Sequence, residues 1–179
     1  MAAAGAIFER IEKKYLLSDA QRRAFEKIME PYMELDAYGK YTVLSVYYDT
    51  PENILLQRST MKPKPFYKEK LRLRSYGVPS EDTACFVELK KKYNGVVYKR
   101  RVAMPLRDAR RYLEGTWKPE KETQILREID YFLGFYRGIR PYVLMAYDRK
   151  AYSAKFGQSV RLTIDENIRC RDTDTDLSH

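Results

Sequence analysis

The stretch YKEKLRLRSY, Tyr67 to Tyr76, places Lys70, Arg72 and Arg74 in alternation with Leu71 and Leu73. Side chains on a strand point alternately to its two faces, so the cations share one face and the leucines the other. In an ordinary half-buried strand the leucines would meet the core and the cations would meet water. The decision between that reading and a functional one depends on whether other strands repeat the arrangement with the same sign of charge.

The chain has 179 residues, which fits one domain with a substantial core, and 44% hydrophobic content agrees with a globular class. Its formal net charge of +9 directs attention to anionic partners: nucleic acid, phosphorylated small molecules or an acidic membrane surface. No window approaches the roughly 20 apolar residues of a membrane span, and the MAAAGAIF start lacks the pattern of a secretory signal. A cytoplasmic location is therefore expected. Cys85 and Cys170 lack zinc-site spacing and read as free thiols. The only histidine is His179, which argues against histidine bases and histidine-ligated metals. No glycine pattern of the G-x-x-x-x-G-K or G-x-G-x-x-G kind occurs, so side chains would have to hold any phosphate.

Periodicity predicts a first strand over Phe8 to Leu17, FERIEKKYLL. Ser18 and Gln21 form a capping box for a helix with Ala24, Phe25, Ile28 and Met29 on one stripe, running to about Met33 unless Pro31 ends it early. Strands follow at Tyr41 to Asp49, Tyr67 to Tyr76, Cys85 to Lys92 and Val96 to Met104, the last two joined by an Asn94-Gly95 turn. A short helix is expected from Glu52 to Arg58, and two more over Leu106 to Leu113 and Glu120 to Phe135. Pro141 to Tyr152 and Ser159 to Ile168 complete seven strands. The expected domain is Phe8 to Ile168, and the acidic, apolar-poor end, residues 169–179, reads as a disordered tail.

The charged faces of these strands carry Arg10, Lys14, Arg72, Arg74, Lys90, Lys99, Arg101, Arg149 and Arg161 against Glu12, Glu88 and Asp165. A solvated face would mix the signs, because like charges opposite one another destabilise a sheet. Antiparallel strands with such an excess suit an α+β fold in which an antiparallel β-barrel turns its basic face inward and its aliphatic face outward, beneath helices. Unpaired ions cannot line a dry cavity, so the interior would be a wet tunnel holding a polyanion. Arginine suits phosphate through its planar fork, and lysine adds a compact charge. Glu12, Glu88 and Asp165 offer oxygen to Mg²⁺ or Mn²⁺, or else each pairs with a cation on a neighbouring strand. Lys91, Lys92 and Arg100 on neighbouring positions compete with Lys90, Lys99 and Arg101, and a register slip of one residue would swap the faces.

The segments F-E-R-I-E-K-K-Y-L-L, S-V-Y-Y-D-T-P, Y-K-E-K-L-R-L-R-S-Y-G, F-V-E-L-K-K-K and V-V-Y-K-R-R-V resemble the VTC polyphosphate polymerase domain, a branch of the triphosphate tunnel metalloenzymes that also include the CYTH phosphatases. The resemblance implies an eight-stranded tunnel that binds the triphosphate of ATP and, with a divalent metal, transfers the terminal phosphoryl group to polyphosphate. It implies phosphate ligands at Arg10 and Lys14 on the first strand, at the R-x-R pair Arg72 and Arg74, at Lys90 and Lys99, and at Arg149 in Y-D-R-K-A-Y. Arg10 stands where the wider superfamily has the first glutamate of E-x-E-x-K, which favours the polymerase branch. In the family a further strand with E-x-K, whose glutamate binds metal, and a lysine-bearing helix follow R-L-T-I-D. Neither follows here before His179, so a tunnel open along one side is expected.

Two other functions use the same cations: a non-catalytic module for polyphosphate or inositol phosphates, and a tunnel triphosphatase. A nucleic-acid binder is disfavoured because single-strand binders set aromatics on the basic surface, whereas these basic positions alternate largely with aliphatics. Arg22 and Arg23 read as a solvated helix face. Most of the sixteen tyrosines, Tyr41, Tyr47 and Tyr48 among them, read as strand packing residues, and one or two could stack an adenine at the tunnel mouth.

Overall fold

The computed structural model describes residues 12–157 and 160–179. Its elements are α1 (Asp19–Met29), β1 (Met33–Asp49), α2 (Ile54–Thr60), β2 (Tyr67–Tyr76), β3 (Ala84–Tyr93), β4 (Val96–Pro105), α3 (Leu106–Leu113), α4 (Gln124–Phe135), β5 (Arg140–Ala154) and β6 (Arg161–Arg171). The six strands form one antiparallel sheet in the order β4-β3-β2-β1-β5-β6. Among the described residues β4 and β6 remain edges, so the α+β class and the antiparallel topology are as expected but the sheet is not closed into a barrel.

Local chemistry explains the boundaries. Gln21 N–H donates to Ser18 Oγ at 3.3 Å and Ser18 N–H to Gln21 Oε1 at 2.8 Å, the expected capping box. Pro31 supplies no amide for continuation, and α1 stops at Met29. At the start of α2 the buried Asp49 carboxylate accepts from the amides of Thr50, Leu55 and Leu56 at 2.8, 2.9 and 2.8 Å. The Leu55 and Leu56 amides are helix N-terminal donors that otherwise lack partners. Asn94 and Gly95 both take positive φ, 44° and 85°, as a type I′ hairpin turn requires.

One face of the sheet builds the core. Leu44, Val46 and Tyr48 of β1, Leu71 and Leu73 of β2, and Val87 and Leu89 of β3 are buried against Leu106, Ala109 and Tyr112 of α3 and Leu126, Ile129 and Phe132 of α4. Leu71 is 0% exposed. Burying a leucine contributes about 1.5–3 kcal/mol, so this face fixes the register of the central strands β1, β2 and β3 by a large margin. The leucines thus lie beneath the helices, and the alternate positions of β2 face away from them.

Three expectations are corrected. Residues 12–18 have no regular structure, so the described part of the expected strand Phe8 to Leu17 is not one, and residues 8–11 lie outside the described residues. Six strands replace the expected seven among the described residues, with β1 starting at Met33 and β6 reaching Arg171. The tail expected to be disordered folds back on the domain: Leu177 is 2% exposed within the core, and Asp176 meets Arg110 of α3 at 2.5 Å. A single apolar residue held by charged neighbours leaves composition unchanged, which is why the sequence concealed it.

Candidate functional site

The register determines which charges meet. Across β1, β2, β3 and β4, Tyr47 stands opposite Arg72, Arg72 opposite Glu88 and Glu88 opposite Arg101. Lys70 stands opposite Lys90 and Lys90 opposite Lys99, while Lys68 stands opposite Lys92. All these side chains alternate with the buried leucines and so occupy the face that carries no helix core. Like charges directly opposite on paired strands cost stability, so the lysine rows are held in place against electrostatic repulsion by the packing of the other face. Burial first, and then Lys70, Lys92, Lys64 and Lys90, draw the Lys68 ammonium below its ordinary range.

Glu88 lies at the middle of this face and is 1% exposed. Its Oε2 receives Arg72 Nε at 2.6 Å and Nη2 at 2.5 Å, and Arg74 Nη1 lies 3.9 Å away. Its Oε1 forms an ion pair with Lys99 Nζ at 2.6 Å. Burial would raise the carboxyl, but the charges of Arg72, Lys99 and Arg74 outweigh it and hold the group below the usual carboxylate range. Lys99 is drawn below its ordinary value by burial, with Glu88 opposing that effect and Arg72 and Arg74 adding to it. For Arg72, burial lowers basicity but Glu88 and Tyr47 more than restore it.

The network continues across the sheet. Arg72 Nη1 donates to Tyr47 Oη at 3.1 Å; Arg74 donates through Nε to Ser45 Oγ at 3.1 Å and through Nη2 to Tyr147 Oη at 3.2 Å. Arg149 lies over the Tyr147 ring, 5.1 Å from its centroid, and binds Asp165 through Nε and Nη2, both at 2.7 Å. A band of linked polar side chains therefore spans all six strands. Burial would raise the Tyr47 phenol, yet the charge and hydrogen bond of Arg72, with Arg74 and Lys70, bring it below its ordinary value.

Of the expected phosphate ligands, Arg72, Arg74, Lys90, Lys99, Arg101 and Arg149 lie on this one face. Arg101 is exposed, its guanidinium 4.8 Å from the Phe86 centroid. Arg161 shares the face on β6 but pairs with Asp36 at 3.7 Å, apart from the Glu88 cluster. Lys14 lies outside the sheet, with its ammonium 3.8 Å from Glu12, whose other oxygen is 3.5 Å from Lys90. Arg10 lies outside the described residues. The alternatives Lys91 and Arg100 point to the helical side, where both pair with Glu128 of α4.

The metal set Glu12, Glu88 and Asp165 is not assembled. Glu88 is enclosed by cations, Asp165 is engaged by Arg149 and Glu12 by two lysines. No group of three His, Cys, Asp or Glu side chains able to hold a metal occurs among the described residues. A divalent cation needs several oxygen donors, and the carboxylates present do not fit one. Lys70, already expected on the charged face of its strand, and Lys92, expected only as a competing cation, both join the face; sequence reasoning read Tyr47 as strand packing and missed Ser45 and Tyr147. Their signal was positional: each sits on the alternation of a charged neighbour, visible only once the pairing register is known.

The sequence matches the family model described as the VTC domain over residues 9–179. No curated protein matches it. Among solved structures, a candidate adenylate cyclase from Bacillus halodurans superposes with a TM-score of 0.54 at 12% identity, covering 97% of this chain and 86% of that one. A candidate adenylyl cyclase from Hippeastrum, described as having a dominant triphosphatase activity, gives 0.44 at 13% identity over 85% of this chain and 76% of that one. The first likeness concerns the fold alone, and the second carries no weight here.

Proposed function

The chain belongs to the VTC domain family, and we propose that its basic sheet face binds the triphosphate of ATP and the end of a polyphosphate chain, serving ATP:polyphosphate phosphoryl transfer. The observation that carries this reading is the cross-strand row Lys70, Lys90 and Lys99 beside Arg72 and Arg74, whose one enclosed counter-anion among the described residues is Glu88. A linear polyanion is the ligand whose repeating charges would offset such a row. Transfer would break the bond between the terminal phosphorus of ATP and its bridging oxygen, which leaves with ADP. A terminal oxygen of the polyphosphate would form the new bond. The cations would contribute by positioning the phosphates and by balancing charge on their oxygens. No step is assigned to a metal, since the described carboxylates do not form a site for one.

Among the described residues the sheet is open and the carboxylates are dispersed, which favours, as a second reading, a module that binds polyphosphate or inositol phosphates without turnover. Nucleic acid fits less well. Tyr47 and Tyr147 on the basic face accept hydrogen bonds from Arg72 and Arg74 and have Arg72 and Arg149 over their rings, while Tyr76, exposed on the same face, packs edge-on against Tyr41 and Phe86. No helix among the described residues is long and apolar enough to cross a membrane, and a cytoplasmic setting, where ATP is supplied, accompanies the proposal.

Incubation with ATP and Mn²⁺, or Mg²⁺, separates the readings. Polyphosphate as product supports transfer, and orthophosphate alone assigns a triphosphatase. Calorimetric binding of tripolyphosphate without product assigns the binding module, and absence of binding overturns the phosphate site.

A further inference from the structure

We infer that Glu88 is an internal counter-anion that positions the Arg72 fork and the Lys99 ammonium for phosphate, and that phosphate binding by this face needs no divalent ion. This rests on the reading of the face as a phosphate site. A carboxylate stays ionised in a buried setting only when its oxygens are paired, and Glu88 has both oxygens on cations within 2.6 Å. The dependence is mutual. Arg72, Arg74 and Lys99 converge on one carboxylate, and without it they would repel one another and be drawn towards solvent.

The geometry also defines what Glu88 leaves free. It engages the Nε and Nη2 edge of Arg72, while Tyr47 takes a donor on Nη1. A guanidinium has five N–H donors in one plane, so fixing that edge sets the direction of the remaining donors. The cluster of three cations and one anion keeps a positive excess, so it is preorganised and still attractive to a polyanion. A divalent ion at Glu88 would find one carboxylate already occupied and three fixed positive charges around it. Glu88 is thus a positioning residue acting through Arg72 and Lys99.

The test is calorimetric titration of tripolyphosphate into the wild-type chain, once in EDTA and once in Mn²⁺, with Glu88→Gln measured in parallel. The wild type is expected to bind in EDTA within about threefold of its affinity in Mn²⁺, and Glu88→Gln to lose at least about tenfold in both buffers. In EDTA, the Arg72 Nε–H resonance of the wild type is expected to be resolved and slow to exchange, and to be lost in Glu88→Gln while the backbone amide spectrum is kept. Binding by the wild type only in Mn²⁺ overturns the inference and leaves the phosphate site standing. Binding in neither buffer overturns both. Unchanged affinity in Glu88→Gln overturns the positioning role. Should that variant fail to fold, a fast-exchanging, averaged Arg72 Nε–H in the wild type overturns it instead.

Discussion

Glu69 and Glu88 are both buried, on adjacent strands of one sheet, and they are held by opposite kinds of partner. Glu69, on the helical face of β2, is 8% exposed and accepts from the hydroxyls of Tyr67 and Tyr136 at 2.7 and 2.8 Å. Arg58 reaches it only through Tyr136, at 2.8 Å from that hydroxyl. Burial first, and then the neighbouring carboxylate, push both phenols well above their ordinary range, so they remain donors. Glu88, on the other face, is held by Arg72 and Lys99. Neutral donors close a carboxylate off and complete a core. Cations leave a positive excess beyond it, and that excess is available to an anion. The same residue type, buried in both places, is therefore structural on one face and electrostatic on the other.

The largest expected effect concerns binding. Arg72→Ala combined with Arg74→Ala removes two charge-assisted contacts of about 1.5–3 kcal/mol each, so tripolyphosphate affinity should fall by roughly a hundredfold or more. Calorimetry at a temperature where both proteins are folded would measure it, and an unchanged affinity would move the phosphate site off this face. Next comes stability. Glu88→Gln leaves Arg72 and Lys99 without their counter-charge and should cost about 3–5 kcal/mol in urea unfolding. Glu69→Gln keeps an acceptor for one tyrosine and should cost about 1–3 kcal/mol. Equal losses would erase the distinction between the two carboxylates.

Acid sharpens the same contrast. Glu88 has a folded-state pKa below its unfolded one, so its contribution is complete above the unfolded carboxyl value of about 4.3 and is lost as pH falls through the lower folded value. The stability gap between wild type and Glu88→Gln should be flat from neutral pH down to that region and narrow below it. A gap that widened on acidification would contradict the ion-paired state. The smallest effect belongs to the lysine row: Lys90→Ala relieves like charges on both sides and should stabilise the fold by about 0.2–1 kcal/mol. It should also weaken polyanion binding and flatten its salt dependence. Destabilisation without loss of binding would mean that Lys90 serves the fold through Glu12 instead.

Much of this was legible in the chain alone. The alternation in YKEKLRLRSY fixes β2 from Tyr67 to Tyr76, Ser18 and Gln21 fix the start of α1, and Asn94-Gly95 fixes a hairpin. Those features are local, set by backbone geometry and side chains a few residues apart. The sign of the charge on alternate strand positions likewise pointed to an anion and placed Arg72, Arg74, Lys90, Lys99, Arg101 and Arg149 together. What pairs with what was not local. Glu88 read equally as a metal ligand or an ion-pair partner until the register set Arg72 on one side and Arg101 on the other, with Lys99 reaching its second oxygen. The docking of Leu177, the open edges of β4 and β6 and the separation of Glu12, Glu88 and Asp165 also belong to the tertiary structure. Periodicity assigns a side chain to a face; only the burial of the opposite face, which locks one register against all others, determines its neighbours.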